Sequence, residues 1–301
     1  MTGKNLRLGI IITLAMVISA GILWLVLSSS MIGITSEIGT GGLPLSADDL
    51  SAIPQSVTDD ATKLATELFG DSQEKRNDFV NQQLAIYSEA KDKDFVILFN
   101  PGGWGWNLVE HSPCWQSIFT GIKSALDSSG YTSLILNYQR TVDNLQGHFN
   151  ELDEMITGYS SKAQDLADRV EFLTTNIPDL KVIIAGESNG TIICDTVMNI
   201  LADNPQVYSI QTGPPFWHMT TMLDRTLVIS DNGIIPDSFS QGDFPTMIDV
   251  NLRAFFGLSQ PEDNAGKILL YVGAPGHDYK WQYPKVCSEI TNFLKQNFGI
   301  K

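Results

Sequence analysis

From Phe95 to the C-terminus, short runs of β-branched and apolar residues recur between segments of helical periodicity. That alternation restricts the architectures open to the chain more than any other feature. The runs are FVILF (95–99), TSLILN (132–137), KVIIA (181–185), QVYSI (206–210), TLVIS (226–230) and KILLYV (267–272). Helical patterns lie between and after them, near 115–129, 160–176, 190–203, 244–257 and 284–298. Strands that are apolar on both faces and separated by helices predict an α/β fold, with a mostly parallel sheet of about six core strands covered on both sides. In such sheets function gathers where the strands end.

The first thirty-four residues differ from the rest. From Leu8 to Leu27 no charge occurs, and the stretch is long enough to cross a bilayer core as a helix. Lys4 and Arg7 precede it, and the next basic residue is Lys63. The expectation is therefore an uncleaved single-pass anchor over residues 1–34, with the N-terminus cytoplasmic and the remainder outside. A cleaved signal peptide is the competing reading, but its apolar region is usually shorter. Residues 35–57, rich in Gly, Pro and Ser, read as a flexible linker. Residues 58–301 then form the folded domain, opened by one or two amphipathic helices between Asp59 and Ala90.

A formal charge of −15 leaves no electrostatic footprint for nucleic acid and favours a neutral or apolar substrate. The three cysteines, Cys114, Cys194 and Cys287, are odd in number and widely spaced, which suits neither a disulfide framework nor zinc. They read as small buried residues, and no cofactor or metal is expected.

Gly186-Glu187-Ser188-Asn189-Gly190 follows the third apolar run and opens a helical pattern. A G-x-S-x-G between strand and helix can project its serine from a sharp turn, because flanking glycines remove side chains that would strike the adjoining elements. Ser188 is thus the candidate nucleophile, although a plain turn has the same composition. A serine needs a base. Of four histidines, His277 lies in a loop just after the last apolar run, whereas His111, His148 and His218 have no comparable placement. The carboxylate that orients the base is expected at Asp231, directly after the fifth run, with Asp237 as the alternative. "SDNG" at 230–233 is also a strong turn sequence in its own right. For the oxyanion, one donor is the backbone N–H of Asn189. The other is expected from Gly103 or Trp104 in the glycine-rich loop "FNPGGWGWN" (99–107).

In this order, oxyanion loop, Ser188, Asp231, His277, the chain resembles the α/β-hydrolase superfamily over roughly residues 94–299. The combination of "NPGGWGW", "SDNGIIPD" and "PGHDYKWQYP" also resembles a group of bacterial membrane-anchored hydrolase-like proteins. The resemblance implies a serine hydrolase, and the expected substrate is an ester, with lipid and other acyl esters as candidates. It leaves open a non-catalytic binding domain and an acyltransferase. Three departures stand out. Asn100-Pro101-Gly102-Gly103 replaces the His-Gly of many members, two N-terminal strands are missing or replaced by helices, and Gln211 to Arg225 is too short for the usual cap. A lid would have to come from 141–159 or 237–265.

Overall fold

The computed structural model describes residues 37–39, 52–142, 144–221, 223–260, 266–269 and 272–300. The expected membrane segment and most of the expected linker lie outside them. Among the described residues no helix is long and apolar enough to cross a membrane.

The central sheet runs in the order β1-β3-β2-β4-β5-β6. Five strands are parallel: β2 (Phe95–Asn100), β3 (Ser133–Gln139), β4 (Lys181–Glu187), β5 (Val207–Thr212) and β6 (Thr226–Ile229). Their sequences explain why they sit inside. In β2 and β4 the pleat sends Val96, Leu98, Val182 and Ile184 to one buried face. Phe95, Ile97, Phe99, Ile183 and Ala185 go to the other. Burying each large apolar side chain is worth roughly 1.5–3 kcal/mol, so runs apolar on both faces are stable only as interior strands.

Helices α1 (Gln55–Phe69), α2 (Gln73–Ala90), α5 (Ser160–Asn176) and α6 (Gly190–Ile200) cover the first face. Helices α3 (Pro113–Ser128) and α8 (Pro284–Phe298) cover the second. Two further helices, α4 (Leu145–Ile156) and α7 (Phe244–Phe255), fall within the two segments expected to supply a lid.

Two expectations change. The sixth strand of the sheet is not KILLYV but β1 (Glu37–Gly39), which pairs antiparallel with β3 through Glu37 and Gln139, Ile38 and Tyr138, and Gly39 and Asn137. Three residues of the expected linker are thus built into the sheet, and α1 begins at Gln55, before the linker was expected to end. KILLYV instead yields β7 (Lys267–Ile268) and β8 (Val272–Gly273), a separate antiparallel pair. Leu269 takes φ +50°, a left-handed conformation that turns the chain out of any extended strand.

Candidate active site

Ser188 sits in the turn between β4 and α6 with φ +50°. A non-glycine residue held there carries strain of about 1–3 kcal/mol, which the surrounding hydrogen bonds must offset. The Ser188 N–H donates to Thr212 O at 3.0 Å, at the end of β5, and Ser188 O accepts from the Thr191 N–H and hydroxyl at 2.9 and 2.7 Å. The flanking glycines have the steric purpose expected of them. A methyl group on Gly190 would lie 2.2 Å from Asn100 O, and one on Gly186 would lie 2.7 Å from Cys194 Sγ. The first glycine lets the end of β2 pass the turn, and the second lets α6 pack on β4.

The loop after β2 meets the serine directly. A methyl group on Gly102 would come 2.9 Å from Ser188 Cβ. Residues 102–105 form a turn, with the Gly105 N–H donating to Gly102 O at 3.2 Å and Gly103 at φ +59°. The Asn189 amide donates weakly to Gly103 O at 3.4 Å, so the two expected oxyanion contributors, Asn189 and Gly103, are neighbours. The Trp104 ring stacks on His148, 4.6 Å between centroids, which gives that histidine a packing role.

Arg140, fully buried just past β3, pins this loop from behind. Its guanidinium donates to Pro101 O at 2.6 Å and Asn100 Oδ1 at 2.8 Å, and its Nη2 pairs with Glu151 of α4 at 2.7 Å. Burial disfavours its charge, but Glu151 outweighs that and holds the guanidinium protonated. Tyr159 O–H also donates to Glu151, at 2.9 Å. Gly105 is required here, since a methyl group would lie 2.8 Å from the guanidinium.

His277 is buried at the same end of the sheet. Its imidazole lies over Gly213, where a methyl group would come 2.6 Å from Cε1. Gly213 follows Thr212, the acceptor of the Ser188 N–H, so serine and imidazole flank one point at the end of β5. The Phe239 ring stands edge-on to the imidazole, 4.9 Å between centroids.

The carboxylate partner of His277 is Asp237, with Nδ1 to Oδ2 at 2.8 Å. This corrects the expectation of Asp231. The Asp231 carboxylate accepts from its own turn, the Gly233 N–H at 2.8 Å, and pairs with Lys285 on α8 at 2.5 Å. Its partly exposed side chain fulfils the turn reading of "SDNG". Asn232, fully buried, continues that turn by accepting from the Ile234 and Ile235 N–H groups. Its amide donates to Gly276 O and Asp278 O, which straps the histidine loop to the acid loop. The reversal places Asp237, six residues on, against the imidazole.

Asp237 is saturated with donors. Besides His277, it accepts from Tyr279 O–H at 2.6 Å, Ser240 O–H at 2.9 Å, and the Phe239 and Ser240 N–H groups at 2.9 and 3.0 Å. Burial alone would raise its carboxyl, but His277, Tyr279 and the Ser240 N–H together hold it below the usual carboxylate range. Burial and the adjacent Asp237 carboxylate push the Tyr279 phenol far up, so it remains a donor.

Several of these residues carry little signal in the sequence. Tyr279 stands two residues after His277, on the same side of an extended loop, and Asn232 is hidden in a turn motif. Glu187, inside the G-x-S-x-G, has its carboxyl raised by burial, against the opposing pull of His277 and the Gly102 N–H. His218 pairs with Asp195 at 3.3 Å, away from Ser188. Of the cysteines, all free, only Cys194 is fully buried; Cys114 and Cys287 are partly exposed. Burial pushes the Cys114 thiol up to about 11.

A parallel sheet with helices on both faces and a left-handed serine between strand and helix fits the α/β-hydrolase fold. No protein-family model and no curated protein matches the chain. Eleven solved chains match. One of them, a Trichoderma reesei cutinase in complex with a C11Y4 phosphonate inhibitor, is 14% identical, with a TM-score of 0.37 over 65% of this chain and 83% of its own. A superposition that loose says nothing of activity.

Proposed function

We propose that the chain is a membrane-tethered serine hydrolase of acyl esters, with Ser188 as nucleophile, His277 as base and Asp237 as the orienting acid. The reading is supported by a strained serine whose N–H bonds Thr212 O at the end of β5, and by an imidazole over the next residue, Gly213, whose Nδ1 is bonded to a buried carboxylate. With Nδ1–H donated to Asp237, Nε2 is left as the basic nitrogen. Ser188 Oγ attacks the acyl carbon as Nε2 takes its proton. The C–O bond to the alcohol then breaks, and the imidazolium returns the proton to the leaving oxygen. Water, deprotonated by the same nitrogen, then attacks the acyl carbon; the bond to Ser188 Oγ breaks, Oγ takes the proton back from the imidazolium, and the acid is released. The Asn189 N–H and an amide of Gly103 or Trp104 stabilise the oxyanion in both halves. The tether and an extracytoplasmic domain follow from Leu8–Leu27 and the preceding Lys4 and Arg7.

A fluorophosphonate probe added to the purified chain should label one site, and Ser188→Ala should abolish that labelling. Labelling that survives the substitution overturns the nucleophile. No labelling of the wild-type chain, with no turnover of esters, favours a binding domain on the same fold.

A further inference from the structure

Helix α7 buries one side and leaves the other unaccountably apolar. Met247 and Val250 are buried, Met247 in a small cluster with Phe239 and Ala274 beside His277. A helix on a protein surface ordinarily turns polar residues to water. Here Phe244, Ile248, Leu252 and Phe255 form an exposed stripe at helical spacing, with Ile248 60% and Phe255 82% exposed, and Phe256 and Leu258 extend it at 67% and 64%. Contiguous exposure of this kind marks a surface made for contact.

The stripe leads to the site. The Phe244 ring stands edge-on to Phe216 at 4.9 Å, Trp217 to Phe239 at 5.4 Å, and Phe239 to His277 at 4.9 Å. Phe216 and Trp217 touch each other at 4.8 Å and are themselves exposed.

The N-terminal segment arrives at the same end of the molecule. β1 starts at Glu37 opposite Gln139, the last residue of β3, so the chain enters the sheet at the carboxyl ends of the parallel strands, where Ser188 and His277 lie. About ten residues separate Leu27 from Glu37, a reach of at most ~35 Å. Six strands at about 4.8 Å spacing make the sheet about 24 Å wide. A bilayer crossed by residues 8–27 therefore lies within ~35 Å of the β1 end of this edge, a reach comparable with the sheet's width.

Charge selects the kind of surface. The chain carries −15 and is repelled by anionic headgroups. Between Phe244 and Leu258 the only charged residues are Asp249 and Arg253, which pair with each other at 2.6 Å.

We infer that the exposed face of α7, with Phe216 and Trp217, docks onto the surface of the bilayer that holds the N-terminal segment, through headgroups without net charge, and so turns the mouth of the site toward the lipid. This rests on the proposed tether. Its consequence is that the substrate is an ester presented by the membrane, reached without crossing bulk water.

The test uses the full chain in phosphatidylcholine vesicles, with an environment-sensitive fluorescent amino acid in place of Phe255. A second protein carries it in place of Lys91, which is exposed at the opposite edge, just before β2. Emission at position 255 should shift to the blue and be quenched by phosphatidylcholine brominated high on its acyl chains, while position 91 stays water-like. Water-like emission at 255 overturns the docking. So does a blue shift without lipid quenching: one that grows with protein density indicates a second copy on this face, and one that persists in detergent indicates the chain's own apolar segment folded onto it. Alkaline carbonate reads the tether separately. Release of the wild-type chain overturns the spanning segment and with it the shared bilayer, whereas retention with water-like emission at 255 overturns the docking alone. A Phe255→Asp/Phe256→Asp double variant should lose about tenfold or more in hydrolysis of a vesicle-embedded ester while keeping its rate on a dispersed short-chain ester. Equal losses on both substrates overturn the inference.

Discussion

Asp231 and Asp237 have the same chemistry and lie six residues apart, yet their surroundings give them opposite duties. Asp237 is buried, and every hydrogen bond it makes from His277 and Tyr279 favours its charged form. Removing that charge while keeping the shape should leave the imidazole in the wrong tautomer. Asp237→Asn is expected to slow probe labelling about 10⁴-fold, as orienting carboxylates of this kind do. Asp231→Asn breaks only a half-exposed pair with Lys285, worth about 0–1 kcal/mol, and should label at close to the wild-type rate. Labelling rates and thermal melts of the two variants, side by side, decide between the aspartates. Glu187 carries a pH prediction of the other sign. Its folded carboxyl is raised by burial, so the stability tied to its protonated form is present below the unfolded value of about 4.3 and lost as pH rises through the folded value. Asp237, lowered, contributes stability above about 3.9 that is lost as pH falls through its folded value. Glu187→Gln should therefore raise the melting temperature by a few degrees at pH 7 and leave it unchanged at pH 3.5. A gain of the same size at both pH values would place the effect in packing rather than charge.

At the scale of elements, the unit that matters is β4, the serine turn and α6, braced by the loop after β2. Gly190 admits the Asn100 carbonyl against the turn, and backbone cannot yield as a side chain can. Gly190→Ala should cost about 1–3 kcal/mol in denaturant unfolding, more if the strained serine is forced out of its conformation. Behind the loop, Arg140 and Glu151 separate stability from positioning. Arg140→Met alone strands a buried carboxylate and should destabilise by about 3–5 kcal/mol. The double variant Arg140→Met/Glu151→Leu should regain much of that stability, because two apolar side chains replace two charges. Labelling should stay slow in the double variant, since the guanidinium's bonds to Pro101 O and Asn100 Oδ1 are then lost; recovery of both would reduce the pair to a packing feature. Periodicity made these elements legible unevenly. Unbroken apolar runs, such as FVILF and the VIIA of KVIIA, belong inside a sheet under any arrangement, and β2 and β4 match them. KILLYV carries a similar apolar run but is broken by Leu269 at φ +50°, a backbone conformation that no residue type announces. The strand β1 was hidden for the opposite reason: three residues beside a glycine-rich stretch carry no period, and only the open edge of β3 gives them a partner. The turn residues of the site show the same division. Gly-x-Ser-x-Gly is readable because sterics dictate it, whereas the choice of Asp237 depends on how far the Asn232 turn swings the chain.

Over the whole molecule, the excess of acidic residues acts at long range on whatever approaches the site. A chain charge of −15 raises a negative potential that repels anionic solutes and leaves neutral ones untouched. Near Ser188, Asp237 is bonded to His277 and Glu187 interacts electrostatically with the same imidazole. Arg140 approaches from behind the oxyanion loop, but its charge is spent on Glu151. An ester with an anionic acyl or alcohol group therefore meets an unfavourable field on approach and in the site. The approach term is screened by salt over a Debye length of about 10 Å at 0.1 M, while the short-range term inside the site is not. Raising ionic strength from about 0.01 to 0.3 M should speed hydrolysis of a soluble anionic ester several-fold through kcat/KM, and change that of a neutral ester of the same chain length little. The anionic ester should remain the poorer substrate at the highest salt, because the Asp237 carboxylate bonded to His277 is buried and poorly screened. A salt effect of equal size on both esters would assign it to the protein's stability, and an anionic ester that overtook the neutral one would mean that a cation near Ser188 outweighs the Asp237 carboxylate.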